Sequence, residues 1–150
     1  MPSFKSILCP VDFSANSRHA LAVAADLAKL WDATLTIAHV WQPPMYGSPD
    51  APIAGTVIQS LVDDADRMLD EWEAGVKSEG LRTTRTKITT GVPWHEILEL
   101  AKGATADLIV MGTHGRTGLK HVLIGSVAEK VVRHATCDVL VVRGSQPSFS

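Results

Sequence analysis

The residues of this chain that are best suited to chemistry lie in segment 107–133, DLIVMGTHGRTGLKHVLIGSVAEKVVR. An apolar run there leads into a glycine-rich loop, with Gly112 and Gly115 near its start and Gly125 and Ser126 at its end. Glycine lets the backbone adopt conformations in which consecutive N–H groups turn toward an anion. The spacing therefore indicates a loop that can hold phosphate.

A helix start and a local excess of basic residues favour the same chemistry. Ser126 and Glu129 form a capping-box pattern, Ser-x-x-Glu, which predicts that Ser126 caps a helix. The N–H groups and the positive dipole end of that helix would face the loop. No acidic residue lies between Asp107 and Glu129, whereas four basic or titratable residues do: His114, Arg116, Lys120 and His121. The local field therefore favours phosphate.

The loop follows neither of two common phosphate motifs. It lacks the Gly-Lys-Ser/Thr of a P-loop, and its first glycine spacing differs from G-x-G-x-x-G. From the residues alone, two interpretations remain open. The loop binds phosphate, or it is a βα turn that leads into a capped helix without a ligand. Ser126 shares this ambiguity, because a cap stabilises a helix by about 1 kcal/mol with no ligand present.

Length and composition describe one globular domain of ordinary size. The chain has 150 residues, 45% hydrophobic and 20% charged, with a net charge of −2. This charge, without a basic stripe outside the loop, argues against a nucleic-acid partner. The sequence has no apolar run of membrane-spanning length and no signal-peptide pattern, so we expect a cytoplasmic protein without a membrane partner. Cys9 and Cys137 lack metal-binding or redox spacing and are expected to be free thiols.

Hydrophobic patterning predicts strands and helices in alternation. Strands are predicted at residues 6–11, 34–41, 82–89, 107–112 and 138–142. Helices are predicted after the cap Ser14, from Ile58 to a stop near Gly80, from Pro93 to Gly103, and over residues 126–134. The proline-rich connection at residues 42–52, QPPMYGSPDAP, is long enough to act as a lid.

This alternation predicts an α/β fold, an open, doubly wound and mainly parallel sheet with helices on both faces. The third strand is polar enough to lie at a sheet edge. Ligands of such sheets bind beyond the carboxyl ends of the strands, where the strand order reverses. Asp12, Val40-Trp41 and Gly112 lie at those ends and are expected to meet in one crevice.

Over essentially its whole length, the chain resembles the nucleotide-binding type of the universal stress protein family. The resemblance lies in ILCPVDFSANSRHAL, in GVPWHEILELA and in segment 107–143. The family's signature G-2x-G-9x-G-S/T is complete at positions 112, 115, 125 and 126. One departure is Asp138, which follows Cys137 where proline is common in the family. The resemblance implies a Rossmann-like, five-stranded sheet in order 3-2-1-4-5 and a single domain over residues 1–150, with residues 144–150 as a loose tail.

The same resemblance implies an ATP-binding module for stress response or regulation, whose nucleotide state is read by an unknown partner protein. Asp12 would contact the ribose, and backbone near Val40 would read adenine. The nucleotide-binding residues implied in this way are Pro10, Val11, Asp12, Val40, Met111, Gly112, Gly115, Arg116, Gly125, Ser126 and Val127. A magnesium or manganese ion would bridge the phosphates without relying on protein side chains.

Other functions can be weighed against this one. Asp12 also has a structural interpretation, since a carboxylate before a helix start favours the helix dipole. A response regulator needs an acidic cluster at the strand ends, and none exists beyond Asp12. The six histidines lack metal-binding spacing. No residue near the loop is an evident base, so binding is favoured over catalysis and no catalytic residue is assigned. A slow ATPase or phosphotransfer protein, and a dimeric interaction module without nucleotide, stay open as alternatives.

The last strand predicts a two-fold homodimer. Its residues Val139, Leu140, Val141 and Val142 are apolar, and a strand at a sheet edge would leave them and their backbone groups exposed. Antiparallel pairing with a second copy would bury the side chains, provide partners for the backbone groups and close the assembly as a dimer.

Overall fold

The computed structural model describes residues 3–43, 54–86, 88–114 and 124–144. The elements, in chain order, are β1 (Ser6–Pro10), α1 (Ala15–Trp31), β2 (Thr34–Ala38), β3 (Val40–Trp41), α2 (Gly55–Lys77), β4 (Thr83–Arg85), β5 (Thr89–Thr90), α3 (Pro93–Gly103), β6 (Leu108–Gly112), α4 (Ser126–His134) and β7 (Asp138–Val142). Some predicted features lie outside the described residues: most of the lid connection, Gly115, Arg116, Lys120, His121 and the tail from residue 145.

The main sheet has five strands, all parallel, in the order β4-β2-β1-β6-β7. When these five strands alone are numbered along the chain, this order is the predicted 3-2-1-4-5. The α/β fold class is therefore confirmed, as is the edge position of the polar strand β4. Strands β3 and β5 form a second, two-stranded parallel sheet.

Two strands that were predicted as continuous are broken. The prediction of one strand over residues 34–41 was wrong, because β2 ends at Ala38 and β3 begins at Val40. Between them, a ring nitrogen of His39 lies 2.7 Å from the carbonyl oxygen of Val11, at the end of the neighbouring strand. The predicted strand 82–89 is likewise divided into β4 and β5, since its two parts pair with different strands.

Two apolar layers cover the two faces of the sheet because successive strand residues point to opposite sides. Ile7 and Cys9 of β1 belong to the cluster that includes residues of α1 and α2. Leu8, between them, belongs to the cluster that includes residues of α3 and α4. Complete burial raises the pKa of the Cys9 thiol to about 12, so at neutral pH this thiol is not a nucleophile.

The helices begin where local sequence favours them. Ser14 caps α1, as predicted, by accepting a hydrogen bond from the amide of Ser17. Pro93 is the first residue of α3, a position at which proline loses no helical hydrogen bond. Within the described parts of the chain, none of the helices combines the length and the apolar content that a membrane crossing requires.

Candidate functional site

The strand order of the main sheet reverses between β1 and β6, and the two strands pair only briefly there. The ladder between them covers two residue pairs and ends at Leu8 and Ile109. By contrast, β1 pairs with β2 over five residues, up to Pro10 and Ala38. The ends of β1 and β6 are thus free of mutual pairing at the carboxyl edge, where ligands of open α/β sheets bind.

The turn after β1 places a carboxylate at this edge. Asp12 Oδ1 accepts hydrogen bonds from the amide of Ser14, at 3.0 Å, and from its hydroxyl. The Asp12 amide donates to the hydroxyl of Ser17, at 3.2 Å. These bonds hold the turn against the first turn of α1. Asp12 therefore stabilises the turn before α1, which is a structural role, and it also lies at the strand end where a ligand was predicted.

Asn16 joins this turn to the end of β6. Its side-chain amide donates to the carbonyl oxygen of His114, at 3.2 Å. A Cβ atom at Gly112 would lie 3.3 Å from the backbone of Asn16, and one at Gly144 would overlap the Asn16 side-chain oxygen. At Gly112, α1 thus approaches β6 so closely that a larger residue would require a shift of a few tenths of an ångström. The sequence segments that follow β1, β6 and β7 meet at Asn16.

The start of α4 corrects one prediction about Ser126. The residue that precedes the helix as its N-cap is Gly125, and Ser126 is the first helical residue. No side chain of the described residues caps this helix, and Ser126 is exposed. Glu129, expected to complete a capping box, instead forms an ion pair with Arg133 one turn further on. The capping interpretation of Ser126 was therefore wrong.

Backbone contacts explain why Gly125 takes the N-cap position. The Gly125 amide donates to the carbonyl oxygen of Thr113, at 2.6 Å, and the Thr113 amide donates to Val142, at 3.0 Å. A Cβ atom at Gly125 would lie 2.9 Å from the same Thr113 oxygen. Only glycine fits there without a shift of the backbone. The start of α4 is thereby fixed against the carboxyl end of β6.

The second sheet extends the carboxyl edge beyond β2. The carbonyl oxygens of His39 and Trp41 accept hydrogen bonds from the amides of Thr89 and Gly91, each at 3.4 Å. Because backbone groups alternate along a strand, the Val40 carbonyl between them points away from β5. Val40 therefore has a backbone acceptor directed away from this sheet pair.

The remaining predicted site residues divide into backbone positions and residues outside the described ranges. Val11 and Met111 are buried, with their side chains in the two core clusters, and Pro10 ends β1. These residues can offer a ligand only backbone atoms. Val127 lies in the first turn of α4. Gly115 and Arg116 are outside the described residues.

The predicted interface residues form the last strand of the main sheet. Val139, Leu140, Val141 and Val142 all belong to β7, which is an edge strand. Leu140 is 38% exposed. The three valines are partly buried against the core, so the edge position and one exposed apolar side chain are the features that favour the predicted dimer.

Sequence reasoning missed Asn16 and His39 as residues that organise this edge. Both make long-range contacts with backbone carbonyls, and such partners leave no local pattern. One available signal was position: each is a polar residue directly after a buried strand or in the first turn of the helix that follows. The structure brings Asp12, Gly112, Gly125 and Ser126 to the carboxyl edge from separate segments.

Comparison with known proteins agrees with this architecture. The model of the universal stress protein family matches residues 3–143. A universal stress protein of Methanocaldococcus jannaschii, MJ0531, is 37% identical over 141 residues, which are 93% of this chain and 82% of that protein.

Solved structures of similar proteins share the fold. The hypothetical protein MJ0577 has a TM-score of 0.85 at 28% identity, with 97% of this chain and 100% of that chain covered. A universal stress protein solved in complex with cAMP has a TM-score of 0.68 at 26% identity, with 96% and 100% covered. The chain therefore belongs to the universal stress protein family.

Proposed function

We propose that the protein binds ATP at the carboxyl edge of the sheet and acts as a stress-response or regulatory module whose nucleotide state is read by a partner protein. The observation that carries the proposal is the start of α4, where Gly125 provides no side-chain cap and Ser126 is exposed. A helix N-terminus that is preceded by glycine and lacks a side-chain cap among the described residues is suited to bind phosphate. The similar protein solved with cAMP supports an adenine nucleotide as the ligand.

Each part of the edge has a chemically suitable role for ATP. The Asp12 carboxylate is a hydrogen-bond acceptor that suits the ribose hydroxyls, and the Val40 carbonyl suits the amino group of adenine. Gly112, Gly125, Ser126 and Val127 would contact the phosphates. Gly115 and Arg116, from the segment outside the described residues, would complete the phosphate site.

A divalent ion fits this proposal as part of the nucleotide complex. Among the described residues, no three or more ligating side chains of the His, Cys, Asp or Glu type form a group. Magnesium commonly keeps several waters and binds through nucleotide phosphates. We therefore propose magnesium or manganese held mainly by ATP and water.

The direct test is to identify the nucleotide that freshly purified protein carries. Thin-layer analysis of the supernatant after denaturation should show ATP. Calorimetry should then show tighter binding of ATP than of GTP, because a carbonyl that accepts from the adenine amino group faces an oxygen in guanine. Equal affinity for ATP and GTP would contradict adenine recognition, and absence of binding to either would end the proposal.

The same preparation distinguishes binding from catalysis. If added ATP is recovered unchanged after prolonged incubation with the protein, the binding function is supported. Accumulation of ADP in the wild type but not in an Asp12→Asn variant would favour the slow ATPase or phosphotransfer alternative.

We also propose that the protein is a two-fold homodimer through β7, and that it works in the cytoplasm as one domain. The exposed Leu140 on an edge strand favours pairing with a second copy. Replacement of Leu140 by lysine should yield a monomer by light scattering. Leu30, 73% exposed on α1, offers the matched control, and its lysine variant should remain dimeric. A monomeric wild type at tens of micromolar would end this proposal.

A further inference from the structure

An aromatic group packs against the turn that carries Asp12. We call it the Phe13 cluster; it consists of Phe13, Arg18, His39 and Trp72. The Phe13 ring lies 4.6 Å from the His39 ring and 5.2 Å from the Trp72 ring, which it meets edge-on at 89°. The guanidinium of Arg18 lies 4.3 Å above the same indole. The cluster thus connects α2 to the loop between β1 and α1.

The backbone of Phe13 is unusual in a way that the cluster explains. Its φ is +64°, in the left-handed region that side chains other than glycine rarely adopt. Two other described non-glycine residues share such an angle, Asp32 and Thr105, and both follow the end of a helix, where this conformation is common. Phe13 instead lies between a strand and a helix start. The bonds from Ser14 to Asp12 span this residue, and the contacts of its ring add to them in holding the conformation.

The ring of Phe13 is held on two sides. On one side, His39 is fixed by its contact with the carbonyl oxygen of Val11, at 2.7 Å. On the other side, Trp72 projects from α2 and is itself covered by Arg18. Edge-to-face ring pairs and cation–π contacts each stabilise such an arrangement beyond simple burial. The left-handed turn at Phe13 in turn directs Asp12 toward Ser14.

From this geometry we propose that Trp72 is a positioning residue for the nucleotide site. It acts through Phe13, which sets the orientation of the Asp12 carboxylate. The inference rests on the proposed ATP site and adds that α2, the helix after the proline-rich connection, controls the affinity of that site. Loss of the indole frees Phe13 to leave its left-handed conformation, and the Asp12 carboxylate then leaves its position at the strand end.

A second aromatic pair provides a matched control. Phe4 and Trp31 also meet edge-on, with ring centroids 5.1 Å apart, and they pack against the same apolar cluster. This pair includes the last residue of α1, beside the amino ends of the strands. Removal of Trp31 therefore costs a similar ring contact without affecting the Asp12 turn.

The first experiment compares ATP affinity by calorimetry in three variants. Trp72→Leu should weaken binding by about tenfold, the size typical of coupling through packed side chains. Trp72→Phe, which keeps a ring against Phe13, should restore most of that affinity. Trp31→Leu should bind ATP like the wild type, even if its melting temperature falls as much as that of Trp72→Leu. Equal affinities in the two leucine variants would overturn the proposal.

A second variant separates the ring of Phe13 from its backbone angle. Asparagine tolerates the left-handed conformation better than most residues do. Phe13→Asn therefore keeps the turn geometry accessible and removes the anchor. Its ATP affinity should fall as in Trp72→Leu. Full affinity in Phe13→Asn would show that the ring has no positioning role and would overturn the proposal.

A measurement without nucleotide keeps this inference distinct from the proposed function. Amide hydrogen exchange at Ser14 and Ser17, whose amides bond within the Asp12 turn, should be several-fold faster in Trp72→Leu than in Trp31→Leu. If the wild type binds no adenine nucleotide, the proposed function fails, and unequal exchange still supports the positioning role. Equal exchange in both variants overturns that role whatever the protein binds.

Discussion

Helices α1 and α4 both begin at the carboxyl edge of the main sheet, and they begin differently. At the start of α1, Ser14 caps the helix with its own hydroxyl and Asp12 bonds to Ser14. At the start of α4, Gly125 has no side chain to offer, and Ser126 is exposed. The first helix start is satisfied by the protein itself. At the second, no side chain of the described residues accepts a hydrogen bond from the first N–H groups.

This difference suggests different roles for the two helix starts. Each helix N-terminus has amide groups that lack helical partners and a positive dipole end. Where side chains already accept hydrogen bonds from these amides, an anion adds little stabilisation. We therefore expect the start of α1 to contribute stability and the start of α4 to serve the proposed phosphate binding, so the two starts should respond in opposite ways to mutation.

The largest effect is expected at Gly125. Its φ of −73° and ψ of 165° suit any residue, so the cost of Gly125→Ala comes from the methyl group against the Thr113 carbonyl. We expect a loss of about 2 kcal/mol in the free energy of unfolding, as in other overpacked sites. Urea denaturation measures this change.

Gly75 supplies the control for that variant. A Cβ atom there would meet nothing within 4 Å, in the interior of α2. Gly75→Ala should stabilise the protein by about 0.5–1 kcal/mol because alanine is the better helix former. If both alanine variants raise stability, the close contact at Gly125 does not exist in solution.

A charge at the start of α4 should separate binding from stability. Ser126→Asp places a carboxylate at the positive end of the helix, which stabilises the fold by about 0.5 kcal/mol. The same carboxylate repels phosphate, so ATP affinity should fall by about tenfold, or ~1.4 kcal/mol. Calorimetry measures the expected loss of ATP affinity, and urea denaturation measures the expected gain in stability. Ser126→Asn, of the same shape without the charge, is the control, and equal affinities of the two variants would argue against an anion at α4.

The cap of α1 should contribute to stability. Ser14→Ala removes the acceptor for the Ser17 amide and a hydroxyl that bonds to Asp12. Loss of an N-cap costs about 1 kcal/mol, which lowers the melting temperature by about 2–4 °C in a chain of this size. Calorimetric melting measures the change. An unaltered melting temperature would mean that α1 does not depend on its cap.

The smallest effect is expected from Ser126→Ala. Because Ser126 is the first helical residue and not a cap, the free energy of unfolding should change by less than about 0.5 kcal/mol. A loss equal to that of Ser14→Ala would restore the capping-box interpretation. Urea denaturation of the two alanine variants side by side makes this comparison direct.

Sequence patterns predicted the elements well where local signals dominate. The helix at residues 126–134 and the strand at 138–142 agree with α4 and β7, and Ser14 is the cap of α1. Hydrophobic periodicity and caps act over a few residues, so one sequence suffices to locate them. The alternation predicted a mainly parallel sheet, whereas the strand order came from the family resemblance.

Predictions failed where distant backbone groups decide the local structure. Ser126 has the sequence of a cap, but the Thr113 carbonyl binds the preceding amide and shifts the cap to Gly125. Residues 34–41 have the pattern of one strand, but they divide at His39, where β3 begins to pair with β5. Neither partner lies near in sequence, so no local pattern could have revealed either outcome.

Thr113 has a further consequence. Its amide bonds to Val142 at the end of the edge strand, and its carbonyl bonds to Gly125 at the start of α4. A second chain that paired with β7 would thus be two hydrogen bonds away from the proposed phosphate site. Thermodynamic linkage is reciprocal, so the factor by which nucleotide changes the self-association constant must equal the factor by which self-association changes nucleotide affinity. The peptide group of Thr113 would then make the affinity for nucleotide depend on the concentration of the protein.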